Sequence, residues 1–192
     1  LLVADGRFIM SWPLDLTRNA DSPPLRIQGV SFAESPLGTD VASNHGIWET
    51  ASGRQLSELH RAACDIAVTE EGEVVTCNRG DTVEIWNGLE GEHSEYLRQP
   101  PEPETSRNAK VRKLISVSAS YDGNLIAAIR IDGQIVVWNR KQKSSRLLDA
   151  KANVMFPHLS NMASAMMPVK FSPDGRLLGA YCAQGFRIWN TS

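Results

Sequence analysis

The hydrophobic pattern of this chain consists of short apolar runs that are separated by glycine-bearing turns. The clearest example is the segment 168–190, which reads PVKFSPDGRLLGAYCAQGFRIWN. Its apolar runs are Val169–Phe171, Leu177–Cys182 and Phe186–Trp189. Glycine adopts positive φ without a steric clash, and aspartate hydrogen-bonds its own backbone. The Asp-Gly and Gln-Gly pairs between these runs therefore predict turns between consecutive antiparallel strands.

The same pattern recurs along the chain, and each copy closes on a tryptophan. The tryptophans follow one another at intervals of 36, 38, 52 and 51 residues, at Trp12, Trp48, Trp86, Trp138 and Trp189. A four-stranded propeller blade repeats about every 40–45 residues, so the two longer intervals predict inserted loops. We expect five strand-rich units, at residues 1–28, 29–59, 60–97, 114–148 and 168–192. In the second and third of them, the apolar runs predict strands at Val30–Phe32, Asp65–Val68 and Val74–Cys77.

Two insertions separate the last three units. Residues 98–113 contain three prolines, with acidic residues first and basic residues after them, and this composition predicts a loop that buries no core. Residues 149–167 carry apolar side chains at intervals of three and four. That spacing predicts one short amphipathic helix between Pro157 and Pro168, with an apolar stripe of Phe156, Leu159, Met162 or Ala163, and Met166.

The order of these elements resembles the blades of WD-repeat β-propellers. The closest matches read VKFSPDGRLLGAYCAQGFRIWN, VSASYDGNLIAAIRIDGQIVVWN and IWETASGRQLSELH. No unit has Trp-Asp, three have Trp-Asn, and the Gly-His that precedes the first strand in the family is missing. Residue matching therefore completes the family's Asp–His–Ser–Trp hydrogen-bond set in no unit, and Asp132 with Trp138 is the most complete fragment. The resemblance implies an all-β propeller of four-stranded antiparallel blades, about five of them visible, with the first and last incomplete.

Composition and charge narrow the function classes. The chain has 192 residues, 42% of them hydrophobic, a net charge of −2 and a pI of about 6.1, so no overall basic field favours a nucleic-acid partner. No apolar run reaches the length of about 18 residues that a membrane span requires. The three cysteines form no Cys-x-x-Cys pair. We therefore expect a reduced intracellular protein, in the cytoplasm or nucleus, without a membrane segment.

No motif for catalysis, metal binding or cofactor binding is present in the sequence. The four histidines are scattered, at His45, His60, His93 and His158, and none has a second ligand at the spacing of a zinc site. There is no Gly-x-Ser-x-Gly nucleophile motif and no glycine-rich phosphate loop. The integrin tripeptide Arg79-Gly80-Asp81 falls in a predicted strand–strand turn, which is the simpler interpretation. We expect no catalytic residue, no metal and no cofactor.

The loops are the most promising place for a binding site, because binding residues usually lie on loops that a rigid scaffold positions. In a propeller, the turns between second and third strands open on the same face as the connections between blades. The residues that the sequence predicts there are His45, Arg79, Asp81, Arg130, Asp132 and Gln184. The insertions add candidate partner contacts at Lys110, Arg112, Met162 and Met166, which combine basic charge with an apolar stripe.

These observations predict a non-enzymatic scaffold whose loops bind partner proteins within a larger assembly. Two alternatives stay open. An enzymatic propeller would need carboxylates or histidines from several blades to converge at the mouth of the central channel. A propeller that binds phosphoproteins or nucleic acid would depend on Arg79, Arg130 and the basic residues of 110–113.

Overall fold

The computed structural model of the protein is all-β, as the hydrophobic pattern predicts. It describes eighteen strands in five antiparallel sheets, which we number I to V in chain order. The described residues are 2–4, 8–11, 25–28, 32–35, 40–59, 63–78, 80–88, 92–101, 112–148, 150, 169–182 and 185–191.

Sheets I, II and III occupy the first half of the chain. Sheet I contains β1 (Leu2–Ala4), β2 (Phe8–Ser11) and β3 (Leu25–Gln28). Sheet II contains β4 (Phe32–Glu34), β5 (Asp40–Ser43), β6 (Gly46–Glu49) and β7 (Gln55–Glu58). Sheet III contains β8 (Asp65–Val68), β9 (Val74–Cys77), β10 (Thr82–Asn87) and β11 (Glu92–Arg98).

Sheets IV and V follow in the second half. Sheet IV contains β12 (Leu114–Ala119), β13 (Leu125–Arg130), β14 (Ile135–Asn139) and β15 (Ser144–Leu148). Sheet V contains β16 (Lys170–Phe171), β17 (Leu177–Cys182) and β18 (Gly185–Asn190). Within each sheet every strand pairs with the next one in sequence, so all the sheets are simple meanders.

Most of the predicted strands lie where the sequence places them, and one ends later than predicted. β8, β9 and β17 have the predicted bounds. The strand expected at 30–32 extends to Glu34, and residues 30 and 31 lie outside the described part of the chain. The turn that follows explains the later end, since the N–H of Ser35 donates to the carbonyl of Asp40, and the Ser35 hydroxyl accepts from the Asp40 N–H at 3.2 Å. The strand therefore runs up to Ser35. The helix predicted between residues 157 and 168 lies outside the described residues.

A hydroxyl closes the turn between the first two strands in each of sheets II to V. Ser120 and Ser172 accept hydrogen bonds from the N–H groups of Leu125 and Leu177 at 2.9 and 3.0 Å. The glycine three residues later has positive φ in both turns, 68° in each case. The equivalent hydroxyls in sheets II and III belong to Ser35 and Thr69. A Ser or Thr with a Gly three residues later is thus the local signal that ends the first strand in sheets II to V.

The described tryptophans, Trp48, Trp86, Trp138 and Trp189, occupy matching positions on the third strands of sheets II to V. Three of their indoles donate hydrogen bonds to neighbouring polar groups. The indole N–H groups of Trp48 and Trp86 donate to the hydroxyls of Ser43 and Thr76 at 2.9 and 3.0 Å. Each hydroxyl lies on the adjacent second strand, opposite the residue two before the tryptophan. In sheet IV that place is taken by Ala128, which has no hydroxyl. The Trp138 indole instead donates to the carbonyl of Arg98 in sheet III, at 2.7 Å.

The core consists of four apolar clusters, one between each pair of consecutive sheets. The largest lies between sheets III and IV and includes Val75, Ile85, Val117 and Ile126, all fully buried. A second lies between sheets IV and V, a third between sheets II and III, and the fourth joins Ile27 of sheet I to Val41 of sheet II. Sheets with two apolar faces stack on one another because a single small sheet buries little surface alone.

The closest approaches between sheets all involve a first strand. β4 packs on β8, β8 on β12, and β12 on β16. Within the described strands the array does not close into a ring, so the propeller stays a prediction. No helix in the described part of the chain is long and apolar enough to span a membrane.

Candidate functional site

The turns between second and third strands lie at one end of the sheets, together with the segments that lead from one sheet to the next. The antiparallel order of each sheet requires this, since a chain that enters the first strand at one end leaves the fourth strand at the same end. Backbone hydrogen bonds tie the two kinds of segment together. The N–H of Leu114 donates to the carbonyl of Gly80 at 2.9 Å, and the N–H of Ile131 donates to the carbonyl of Lys113 at 2.8 Å. We call this end the loop face.

His45 lies in the β5–β6 turn at the loop face, and its side chain is exposed. Its backbone is held in place, because its N–H donates to the Ser43 hydroxyl at 3.2 Å and its carbonyl accepts from the Leu59 N–H. The side-chain amide of Gln55 donates to the same carbonyl at 3.3 Å. A fixed backbone under an exposed imidazole suits a surface contact.

Asp81 and Arg112 come together through Gln99, which the sequence did not single out. The buried side-chain amide of Gln99 donates to the carbonyl of Asp81 at 3.1 Å and to that of Arg112 at 2.6 Å. Arg112 in turn donates to the carbonyl of Pro100 at 3.3 Å. One glutamine thereby joins the β9–β10 turn to both ends of the long segment between sheets III and IV. The Asp81 side chain above this junction is exposed.

Asp132 and Arg130 form an ion pair beneath the loop face. A guanidinium nitrogen of Arg130 lies 2.9 Å from the Asp132 carboxylate, and the Arg130 side chain is only 2% exposed. Asp132 also accepts from the N–H of Gln134 at 3.1 Å, which fixes the tight turn at Gly133, where φ is 83°. Arg130 therefore supports the β13–β14 turn from below, and its guanidinium does not reach the surface.

Five of the sequence-predicted contact residues lie outside the described part of the chain. They are Arg79, Lys110, Met162, Met166 and Gln184. The structure thus brings His45, Asp81, Arg112 and Asp132 to one end of the sheets, and it places Arg130 inside.

The loop face concentrates unpaired polar atoms. Among the described residues, four solvent-shielded side-chain atoms have no hydrogen-bond partner within the protein. Three of them belong to this face: the carbonyl oxygens of the Gln99 and Gln134 side chains and Nε of Arg112. A shielded polar atom without a partner costs free energy, so such groups are rare and call for an explanation. These two acceptors and one donor lie inside the junction of sheets III and IV, so a partner at the surface does not reach them in this conformation.

The opposite end of the same two sheets carries an acidic cleft of about 580 Å³. Arg140 lies in this cleft, and its guanidinium makes paired hydrogen bonds to the Glu73 carboxylate at 2.6 and 2.9 Å. It also donates to Glu95 at 3.0 Å and to the carbonyl of Gly123 at 3.0 Å. Because Arg140 belongs to sheet IV while both glutamates belong to sheet III, these bonds join the two sheets. No motif in the sequence predicted these bonds.

One carboxylate is buried at the contact between first strands. Asp65 of β8 accepts from the Ser116 hydroxyl at 2.8 Å and from the N–H of Val117 at 2.9 Å, both on β12. Burial raises the pKa of Asp65, since desolvation disfavours the charged carboxylate by more than these hydrogen bonds favour it. Within the described ranges, no three His, Cys, Asp or Glu side chains are grouped to hold a metal ion. Asp65 thus joins two sheets.

Comparison with known proteins adds no relative to this picture. The chain matches no protein-family model, and no curated protein is similar to it at a significant level. The site must therefore be interpreted from its own residues.

Proposed function

We propose that this chain is a WD-repeat-like β-propeller module that acts as a non-enzymatic scaffold for partner proteins. The sheets provide a rigid frame, and the loop face of that frame makes the contacts. Partner proteins, in a multi-subunit complex or in further domains of the same polypeptide, are the ligands that this arrangement suits.

The stacking of the sheets supports the propeller part of the proposal. Consecutive meanders pack face to face, and their first strands make the closest approaches. Sheets whose most extensive contacts involve their first strands are arranged like propeller blades, which meet near a common axis. The indole–hydroxyl pairs of Trp48 with Ser43 and Trp86 with Thr76 resemble part of the hydrogen-bond set of WD repeats.

The observation that carries the binding part is the pair of exposed side chains, His45 and Asp81, on loop-face turns with fixed backbones. Both side chains present hydrogen-bonding groups to a partner. A partner that binds turns already held in place loses little conformational entropy of the loops on binding. This arrangement gives specificity without requiring a deep pocket.

The other two function classes receive less support. The carboxylate at the first strands, Asp65, accepts hydrogen bonds from Ser116 and Val117 and is buried between two sheets. Arg130, on which phosphate binding partly depended, is buried and paired with Asp132. An intracellular location remains part of the proposal, and it agrees with the observation that the described cysteines, Cys64, Cys77 and Cys182, form no disulfide.

Affinity capture with loop-face variants tests the function. The folded chain is immobilised, and proteins retained from a cell extract at near-physiological salt are quantified by mass spectrometry. We expect a reproducible set of proteins that His45→Glu with Asp81→Lys releases, because both exposed side chains change charge.

The matched control changes charge at the opposite end of the sheets, with Glu71→Lys and Lys141→Glu. These side chains are also exposed, so this variant should retain the same proteins. If both double variants lose the same proteins equally, or if neither does, the loop face is not the binding surface.

A further inference from the structure

Two of the three cysteines meet at the loop-face end of sheet III. Cys64 lies in the bend that precedes β8, and Cys77 is the last residue of β9. Both are free thiols. We propose that Cys64 and Cys77 form a reversible disulfide within the chain when a peroxide oxidises the protein. This modification site is additional to the partner-binding surface and does not depend on the proposed function.

The backbone of the pair already has the spacing that a disulfide requires. The N–H of Cys64 donates to the carbonyl of Cys77 at 2.6 Å. The covalent bonds on either side of this hydrogen bond limit the distance between the two Cα atoms to about 6.5 Å at most. The Cα atoms of disulfide-bonded cysteines are usually about 4.4–6.8 Å apart. The pair can therefore be bridged without separating β8 from β9.

The two side chains also occupy the same space. Both pack in the apolar cluster between sheets III and IV, where Cys77 is fully buried and Cys64 is partly buried. The two thiols are hydrogen-bonded to each other. Cys182, the remaining cysteine of the chain, belongs to the cluster between sheets IV and V. Cys64 thus has one thiol within reach, and it is that of Cys77.

The surroundings give the two sulfurs different roles. The hydrogen bond with the Cys64 sulfur raises the pKa of Cys77, and burial and the nearby charge of Asp65 raise it further. Cys77 therefore keeps its proton at neutral pH. A thiolate is the form that attacks an oxidant. The partly exposed Cys64 is accordingly the sulfur that reacts first, and Cys77 is the thiol that resolves the product.

The reaction proceeds in two balanced steps. The Cys64 thiolate attacks one oxygen of hydrogen peroxide, the O–O bond breaks, and hydroxide leaves, so Cys64 becomes a sulfenic acid. The Cys77 sulfur then attacks the sulfenic sulfur, and the Cys77 proton and the sulfenic hydroxyl leave as water. Two thiols are oxidised, one peroxide is reduced, and two waters form once the hydroxide takes up the proton that Cys64 released. Because the sulfurs are already in contact, the second step does not need a low pKa at Cys77.

The position of the pair gives the disulfide a structural effect. Cys64 ends the segment that leads from sheet II into sheet III, and Cys77 begins the β9–β10 turn that carries the exposed Asp81. Oxidation therefore ties a connection between sheets to a turn of the loop face. Disulfides of intracellular proteins are usually transient in this way.

Peptide mapping of the oxidised whole chain tests the proposal. The reduced protein is treated with hydrogen peroxide, its remaining thiols are blocked with N-ethylmaleimide at intervals, and the non-reduced digest is analysed by mass spectrometry. We expect a linked pair of peptides that contain Cys64 and Cys77, which dithiothreitol separates. These two residues should lose their thiols about tenfold or more faster than the buried Cys182, which serves as the internal control.

Variants separate the two steps. In Cys77→Ala the sulfenic acid of Cys64 has no resolving thiol, so dimedone should label Cys64 at least about fivefold more than in the wild type. Cys182→Ala is the matched control and should form the linkage at the wild-type rate. The mapping of the wild type needs no variant, so it decides the matter even where Cys77→Ala fails to fold.

Three outcomes contradict the proposal. One is a wild type whose Cys64 and Cys77 both remain thiols while Cys182 is oxidised at the same rate or faster. Another is oxidation of Cys64 to sulfinic acid without any linkage to Cys77. The last is a linkage that joins two chains or includes Cys182, since the contact between Cys64 and Cys77 then does not direct the reaction.

Discussion

At the scale of single residues, the most informative contacts cross from one sheet to the next. Arg140 binds Glu73 with two hydrogen bonds and Glu95 with one, and its side chain is only partly exposed. By contrast, Arg176 lies 3.9 Å from Asp174, and both are largely exposed. Paired hydrogen bonds and shielding from solvent therefore distinguish an ion pair that stabilises the fold from an exposed pair that contributes nothing measurable to stability.

We expect Arg140→Met to lower the free energy of unfolding by about 1–2 kcal/mol, because it leaves two partly shielded carboxylates without their cation. Urea unfolding followed by tryptophan fluorescence measures this. Arg176→Met is the matched control and should change the stability by less than about 0.5 kcal/mol. Equal effects of the two substitutions would mean that Arg140 does not join the sheets.

Asp65 makes a prediction about pH. Its pKa is raised in the folded chain, so between the unfolded and folded pKa values the folded chain binds more protons than the unfolded chain. The free energy of unfolding therefore falls as pH rises through that window. The stability of the wild type relative to Asp65→Asn should be greater near pH 4 than near pH 7.

Asp174 provides the control of opposite sign. The Ser172 hydroxyl, followed by the N–H of Arg176, lowers the pKa of Asp174. The contribution of Asp174 to the free energy of unfolding is present at neutral pH and is lost as pH falls through the folded pKa. The stability of the wild type relative to Asp174→Asn should therefore be greater at neutral pH than at acidic pH, the reverse of Asp65→Asn. A pH-independent difference for Asp65→Asn would contradict the account of its burial.

These cross-sheet contacts could not be predicted from the sequence, although the turn residues could. Ser172, Asp174 and Gly175 lie in one turn whose hydrogen bonds join residues close together in the chain. Their pattern can therefore be recognised in the sequence. Arg140 and Glu73 are 67 residues apart, and only the packing of sheet IV on sheet III brings them together. The same holds for Gln99, whose role depends on the two segments that it joins.

At the scale of the strand, the tryptophans act through the strand beside them. Trp86 is 4% exposed, and its indole donates to Thr76, which is also buried. Neither group has access to water when the other is removed. Their contributions to stability should therefore be coupled.

Trp86→Phe and Thr76→Val should each destabilise the protein, and the double variant should cost less than the sum. The coupling expected for one buried hydrogen bond is about 1 kcal/mol. Chemical denaturation of the four proteins in the cycle measures it. Trp138→Phe is the control, because its indole bonds Arg98 instead, and it should be additive with Thr76→Val. Additivity of Trp86→Phe with Thr76→Val would show that the bond does not contribute.

Strand positions followed from the sequence where turn chemistry was clear. β8, β9 and β17 were predicted with their bounds because Gly72 and Gly175, which have positive φ, mark the turns. The first strand of sheet II ends at Glu34, two residues beyond the end that the apolar run 30–32 predicted. Hydrophobicity alone does not fix a strand boundary when the closing turn is set by a side-chain hydroxyl.

At the scale of the whole molecule, repetition predicted the number of sheets but not how they are joined. Five tryptophan-bearing units correspond to five sheets, and each pair of consecutive sheets shares one apolar cluster. The arrangement of those sheets depends on which strands come closest. The contacts of β4 with β8, of β8 with β12, and of β12 with β16 indicate that neighbouring sheets pack together at their first strands. The scaffold proposal depends on this arrangement.

Spin-label distances between sheets III and IV test that arrangement most directly. One pair of labels replaces Glu71 and Tyr121, at the turns after the first strands, where the N–H of Glu70 donates to the carbonyl of Tyr121. The other pair replaces Glu92 and Gln142, beside the fourth strands. Blades around an axis predict an inner distance near the spacing of packed sheets, about 10 Å, and a clearly longer outer distance. Equal distances, or a shorter outer one, would contradict the propeller account.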